Sequence, residues 1–191
     1  MHIYRVWQTS IKIAENEGAN PFITQLAALL HDIADWKFHD GNENAGPEKA
    51  EIILRKFSIE EKVITTVKNI VRDISFKGAK VNHKKMESLE GMVVQDADRL
   101  DAIGAIGIAR TFAYGGYTKR SIYDPSIKPE LHDSSEKYFK NNGSSISHFY
   151  EKLLLLKDLM NTKAGKKMAE ERHIFMEKYL DQFYKEWNQE V

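Results

Sequence analysis

The stretch that most limits how this chain can fold is residues 26–35, LAALLHDIAD, an apolar helical run that ends on adjacent His31 and Asp32. Neighbouring residues on a helix point about 100° apart, so they do not normally share a face. A bound cation is one of the few objects that both side chains can grip. A carboxylate buried beside such a run needs a cation, a metal or good hydrogen-bond donors. His39-Asp40 and His132-Asp133 repeat the dipeptide but lie in polar stretches, so context singles out the first pair. His2 lies upstream on the face of Val6, and Asp98 lies downstream, bracketed by Val93, Val94, Leu100 and Ile103. His2, His31, Asp32 and Asp98 make a mixed imidazole and carboxylate set suited to one divalent ion, with Asp96 and Asp101 as nearby alternatives to Asp98. Such a set requires the fold to gather three distant stretches of chain.

The apolar period is helical almost throughout, so the expected class is all-α, as one domain over 1–191. A first helix over 2–17 carries Val6, Thr9 and Ile13 and stops at Gly18. Asn20-Pro21 reads as an N-cap followed by proline at the first helical position. The second helix is expected to bury Phe22, Leu26, Leu29, Leu30 and Ile33. Residues 36–46 and 73–85 read as loops. Pro47 starts a short helix to Phe57, and Ser58 with Glu61 fits a capping box for a helix to Arg72 that carries Val63, Ile64, Val67 and Ile70. One long helix is expected from Met86 through Asp98 to Ala113, with Gly104, Ala105, Gly107 and Ala109 packed closely on a neighbour. Residues 115–143 form the longest irregular stretch, of a length usual for lids and binding loops, and 114–120 is a candidate lid. Two helices follow, over 146–160 and 162–189, the last with Phe175, Tyr179, Phe183 and Trp187 in register. His148, Tyr150 and Lys152 open the first of these, where anions are favoured; core packing is the alternative for Tyr150. The chain opens directly into helical sequence at His2, which points to a misassigned start or a removed N-terminal segment.

Charge and composition exclude several classes of function. Lys plus Arg (28) balances Asp plus Glu (28), so no overall field draws the chain to nucleic acid or anionic lipid. No basic stripe or aromatic platform is present, and no nucleic-acid partner is expected. With no cysteine, disulfides and thiolate metal sites are excluded, and any metal takes nitrogen and oxygen ligands. No apolar run approaches the roughly 20 residues of a membrane span. No secretion signal precedes the first helix, so a cytoplasmic location is the default and no membrane partner is expected.

His2-Ile3-Tyr4-Arg5-Val6, His31-Asp32 and Ala97-Asp98-Arg99-Leu100 resemble the spaced H…HD…D signature of the HD-domain metal-dependent phosphohydrolases. Residues 32–39 (DIADWKFH), 74–78 (ISFKG), 113–116 (AYGG) and 148–153 (HFYEKL) are similar to one bacterial subgroup that contains nucleoside triphosphate pyrophosphohydrolases. The resemblance implies that His2, His31, Asp32 and Asp98 hold one divalent cation, with positions left for water and a phosphate oxygen. Mn is favoured by analogy, and Mg, Fe, Co, Ni and Zn remain open. Asp35, one turn beyond Asp32, is the implied acid that assists proton transfer. Arg5, Lys37, Lys77 and Arg99 are candidates to meet phosphate charge. The implied substrate is a small-molecule nucleotide, cleaved between its α and β phosphates to a monophosphate and pyrophosphate. Phosphomonoesterase, cyclic-nucleotide phosphodiesterase and a nucleotide-sensing domain without turnover are the alternatives, and a homodimer is admitted. Relatives carry a further helix before the first histidine, so the expected fold is an HD-domain helical bundle that lacks its N-terminal helix.

Overall fold

Local capping signals set the first two helices of the computed structural model, which describes residues 1–34, 42, 44–74, 86–131 and 143–191. Helix α1 (His2–Glu17) stops at Gly18, whose φ of 73° is left-handed backbone that a Cβ would strain. The Gly18 and Ala19 amides both donate to the Ala14 carbonyl, at 2.9 and 3.1 Å. Asn20 Oδ1 then caps α2 (Pro21–Leu30), accepting from the amides of Phe22 (3.0 Å) and Ile23 (3.2 Å). Only three residues separate the helices, so α1 folds back on α2 as a helical hairpin and its first residue comes beside the end of α2.

The buried face of α2 differs from the one expected. Thr24, Ala27 and Ala28 are buried, whereas Phe22 and Leu29 are 52% and 48% exposed. The helix is apolar nearly all round, so its periodicity does not orient it. The tight hairpin selects the small residues, which let α2 approach the Val6, Ser10, Ile13 and Ala14 stripe of α1.

Helices α3 (Ala45–Lys56) and α4 (Glu61–Asp73) pack on each other, and α2 packs on α4. The capping box expected at Ser58 does not form. Ser58 takes a φ of 53°, Glu60 is the N-cap, and Glu61 Oε1 accepts from Arg55 Nη2 at 2.8 Å. Ile64, Val67, Ile70 and Val71 form the buried face of α4.

Helix α5 (Leu89–Asp101) is enclosed on almost every side. From residue 91 to 101 only Met92 and Asp98 are not buried. Its polar residues have partners: Gln95 Nε2 donates to the Ile74 carbonyl (3.3 Å), Arg99 Nη1 to the Leu159 carbonyl, and Asp101 pairs with Arg110 (2.5 Å). The single long helix expected here breaks at Ala102–Ile103, and α6 (Gly104–Tyr117) starts anew. Gly104 takes a φ of 72°, and a Cβ on Gly107 would fall well under 3.0 Å from the Ala102 carbonyl oxygen. The small residues therefore accommodate a backbone corner at Gly107 and, at Gly104, the close approach of Arg172 from the last helix. Two arginines take up the carbonyls freed at the end of α5: Arg172 Nη1 donates to Leu100 and Arg110 Nη1 to Asp101 (3.0 Å).

The candidate lid is helical as far as Tyr117. Ser144 Oγ caps α7 (Ser145–Glu151), accepting from the Ser147 amide at 3.0 Å. The helix expected over 146–160 is interrupted at Lys152 and continues as a 3-10 helix, Leu153–Leu159. Thr162 Oγ1 accepts from the Gly165 amide (2.9 Å) at the start of α8 (Lys163–Trp187). That helix buries Ala169, His173, Met176 and Leu180, and Tyr179 stacks on Phe149 at 5.9 Å. Phe175, the first residue of the expected register, is exposed.

Every regular element among the described residues is helical, and no helix is long and apolar enough to cross a membrane. The Cα positions cluster in two units. One holds α1 to α4, α5 as far as Asp98, and Asn161–Gly165; the other holds Arg99–Met160 and Lys166–Val191.

One titration in α7 carries a pH dependence. Burial pushes the His148 imidazole down from 6.5 to about 3, and the charges of Lys152 and Arg120 act in the same direction. Between those values the unfolded chain binds more protons than the folded one, so stability falls as pH drops from 6.5 toward about 3. Urea unfolding should give a lower midpoint at about pH 5 than at about pH 7. His148→Gln should shrink that difference; an unchanged difference would show that other groups carry it.

Candidate metal centre

The hairpin places the start of α1 against the end of α2, and so places His2 against His31. Their Nε2 atoms are 3.2 Å apart and their rings meet edge-on with centroids at 5.2 Å. Asp98, the one partly open acidic position on the α5 segment from 91 to 101, completes the group. Its Oδ1 lies 3.3 Å from His2 Nε2 and 3.8 Å from His31 Nε2. One donor atom from each of the three residues lies within 4.8 Å of the others. All three belong to the first unit.

The histidine chemistry fits a cation. His31 is the C-cap of α2, and its Nδ1 lies 2.8 Å from the Ala28 carbonyl. A carbonyl only accepts, so Nδ1 carries the proton and Nε2 turns its lone pair toward His2 and Asp98. A carbonyl behind a ligating imidazole also fixes its orientation and raises its basicity. Two facing imidazole nitrogens at 3.2 Å need a proton or a cation between them. Bonds of about 2.0–2.1 Å from each nitrogen to a common ion span such a separation. His31 is buried, whereas His2 and Asp98 keep part of their surface, so the centre has a protein side and an open side.

The other expected residues fall differently. Asp32 lies in the turn after α2, because that helix ends at Leu30 and the Ile33 amide closes a tight turn on the Leu30 carbonyl (3.1 Å). It is exposed rather than buried, and its carboxylate is not in the group of three. Arg5 is half-buried on α1, one turn from His2. Arg99, expected at the rim of the site, is buried and donates to the Leu159 carbonyl. Asp35, Lys37 and Lys77 lie outside the described residues. The alternatives to Asp98 have other partners: Asp101 pairs with Arg110, and Asp96 holds the residues at the start of α8. Sequence reasoning missed the Ala28 carbonyl behind His31 and the anchoring role of Asp96. The i, i+3 spacing of Ala28 and His31 at a helix end was the signal for the first.

The comparisons agree with this geometry. The HD domain family matches residues 1–103, which contain all three converging side chains. The chain is similar to the crystal structure of an HD-superfamily hydrolase from Bacillus thuringiensis, with 47% identity, 98% of this chain and 85% of that one covered, and a TM-score of 0.76. It is similar to a Lactobacillus plantarum protein at 40% identity, 98% and 86% coverage and a TM-score of 0.86. Bacillus subtilis YpgQ, solved in complex with ADP, is 37% identical over 97% of this chain and 84% of that one, with a TM-score of 0.77. Those matches, on a helical fold that gathers two imidazoles and a carboxylate, place the chain in the HD-domain family as a metal-dependent phosphohydrolase.

Proposed function

We propose that this phosphohydrolase acts on nucleoside triphosphates, deoxynucleotides among them, and cleaves between the α and β phosphates. One water is consumed and a nucleoside monophosphate and pyrophosphate are released. The observation that carries the reading is the ADP complex of YpgQ, a relative that matches nearly the whole chain.

In this reading His2, His31 and Asp98 hold the ion, and Asp32, next to His31 in the chain, is the fourth donor. The chemistry the ion supplies when bound is Lewis acidity toward a phosphate oxygen and toward water. Nitrogen and oxygen donors without thiolate suit Mn, and Mg, Fe, Co, Ni and Zn remain compatible. The Ala28 carbonyl keeps the His31 proton on Nδ1, away from the reacting groups. Asp35 takes the role of proton-transfer acid, and Arg5, Lys37 and Lys77 meet the charge of the phosphates. Arg99, committed to the Leu159 carbonyl, has a structural part to play.

A screen of divalent metals against nucleotides, with pyrophosphate and orthophosphate measured separately, tests the reading. Metal-dependent pyrophosphate release from a triphosphate is expected, strongest with Mn. Orthophosphate from a monophosphate, or cleavage of a cyclic nucleotide, would replace the proposal with the alternative activity. Asp32→Ala should lose both bound metal and turnover, and unchanged metal content would remove Asp32 from the donor set.

A further inference from the structure

We propose that Asp96 is a positioning residue for the metal centre, holding α5 at the rotation that turns Asp98 toward the two imidazoles. The inference rests on that centre being the site of a divalent ion.

The Asp96 side chain is fully buried, and each of its oxygens takes two donors. Oδ1 accepts from the Asn161 amide (2.8 Å) and Asn161 Nδ2 (2.9 Å). Oδ2 accepts from the Thr162 amide (2.8 Å) and Thr162 Oγ1 (2.7 Å). An ionised carboxylate has about four acceptor sites, and these bonds fill them. A helix held in this way cannot turn about its axis without breaking several bonds. Two residues along an α-helix is a rotation of about 200°, so Asp98 leaves α5 on the side away from Asp96. One carboxylate is locked inside while the other faces the imidazoles.

The segment that holds Asp96 is itself tied down. Gln95 Oε1 accepts from Asn161 Nδ2 (3.0 Å), and Thr162 Oγ1 accepts from the Gly165 amide (2.9 Å). The Ala164 amide donates to Glu17 Oε1 at 2.7 Å. Helix α1 therefore supplies His2 at its first residue and, at its last, an anchor for the residues that grip Asp96. Both routes to the centre, through α1 and through α5, meet at Asn161–Gly165, inside one unit.

Gly165 offers a direct test. Its backbone is helical, where alanine is the better residue, and the atoms nearest to an added Cβ belong to the clasp. That Cβ would fall under 3.0 Å from Asp96 Oδ2 and 2.8 Å from Thr162 Oγ1, and it would displace the carboxylate without removing its charge. Thr162→Val removes one bond to Oδ2 at constant shape, and Thr162→Ser restores it.

The measurement is calorimetric titration of metal-free protein with Mn, beside thermal melts of the same samples. Gly165→Ala and Thr162→Val should bind Mn about 10–100-fold more weakly than the wild type while remaining folded at the titration temperature. Thr162→Ser should bind close to the wild type. Should Gly165→Ala fail to fold, the two Thr162 variants decide alone. Wild-type affinity in the folded variants, with only the melting temperature lowered, would reduce Asp96 to a structural role and overturn the proposal. A wild-type protein that takes up no divalent ion would instead sink the reading of the metal centre itself.

Discussion

Replacing His31 with alanine should abolish tight metal binding and with it metal-dependent hydrolysis. The residue supplies the buried imidazole of the set, and the Ala28 carbonyl has already oriented it. Loss of an outer partner alone costs about 10–100-fold in metal affinity, so loss of the ligand should exceed about 100-fold. Asp98→Asn should show the same loss with almost no change in shape. The stability readout separates a ligand from a core residue. An ion that binds only the folded state raises the melting temperature with its concentration. Mn should stabilise the wild type in this way and leave Asp98→Asn unmoved. A chelator should silence the wild type, and added Mn should restore it. An Asp98→Asn protein that keeps both Mn stabilisation and turnover would overturn the assignment of Asp98.

Gly107→Ala should be among the most damaging single methyl groups at the described residues. Its Cβ would overlap the Ala102 carbonyl oxygen, a backbone atom that cannot move aside as a side chain would. Overpacking of this kind costs about 1–3 kcal/mol and sometimes more, which lowers the melting temperature by roughly 3–10 °C in a chain of this size. Gly116, in the same helix, has nothing within 4 Å of its Cβ position. Gly116→Ala should therefore be neutral or stabilise by about 0.5–1 kcal/mol, as alanine gains over glycine in a helix. Paired thermal melts check the opposite signs. Equal effects from the two substitutions would show that the corner between α5 and α6 is not backbone-limited.

Local chemistry is what the sequence makes plain. Gly18, Asn20 and Pro21 are cap residues, and the helix ends they mark fall where expected. His2, His31 and Asp98 were recognisable as polar groups set in apolar surroundings, and the fold brings them together. What depends on packing was not legible. Periodicity gave no break between α5 and α6, because Gly104 and Gly107 suit a close helix contact as well as a corner. On α2 the large apolar residues looked like the core, yet the short hairpin favours Thr24, Ala27 and Ala28. Ser58 had the right spacing for a cap but not the backbone conformation. Asp96 stood in sequence as an alternative to Asp98, and the position of Asn161 and Thr162, more than sixty residues away, shows it to be an anchor.

The α1–α2 hairpin also bears on the order in which the centre is assembled. Its two imidazoles lie 29 residues apart, and short loops of this kind close early and at small entropic cost. Asp98 joins only after a much longer stretch of chain has been made and α5 has docked. A nascent chain therefore presents His2 and His31, with Asp32 beside them in sequence, before Asp98 arrives. During that interval the competition among ions follows the affinity of a nitrogen-rich site, which ranks Ni, Cu and Zn above Mn. Metal content after expression should therefore vary with the ions supplied during synthesis as well as with the completed site.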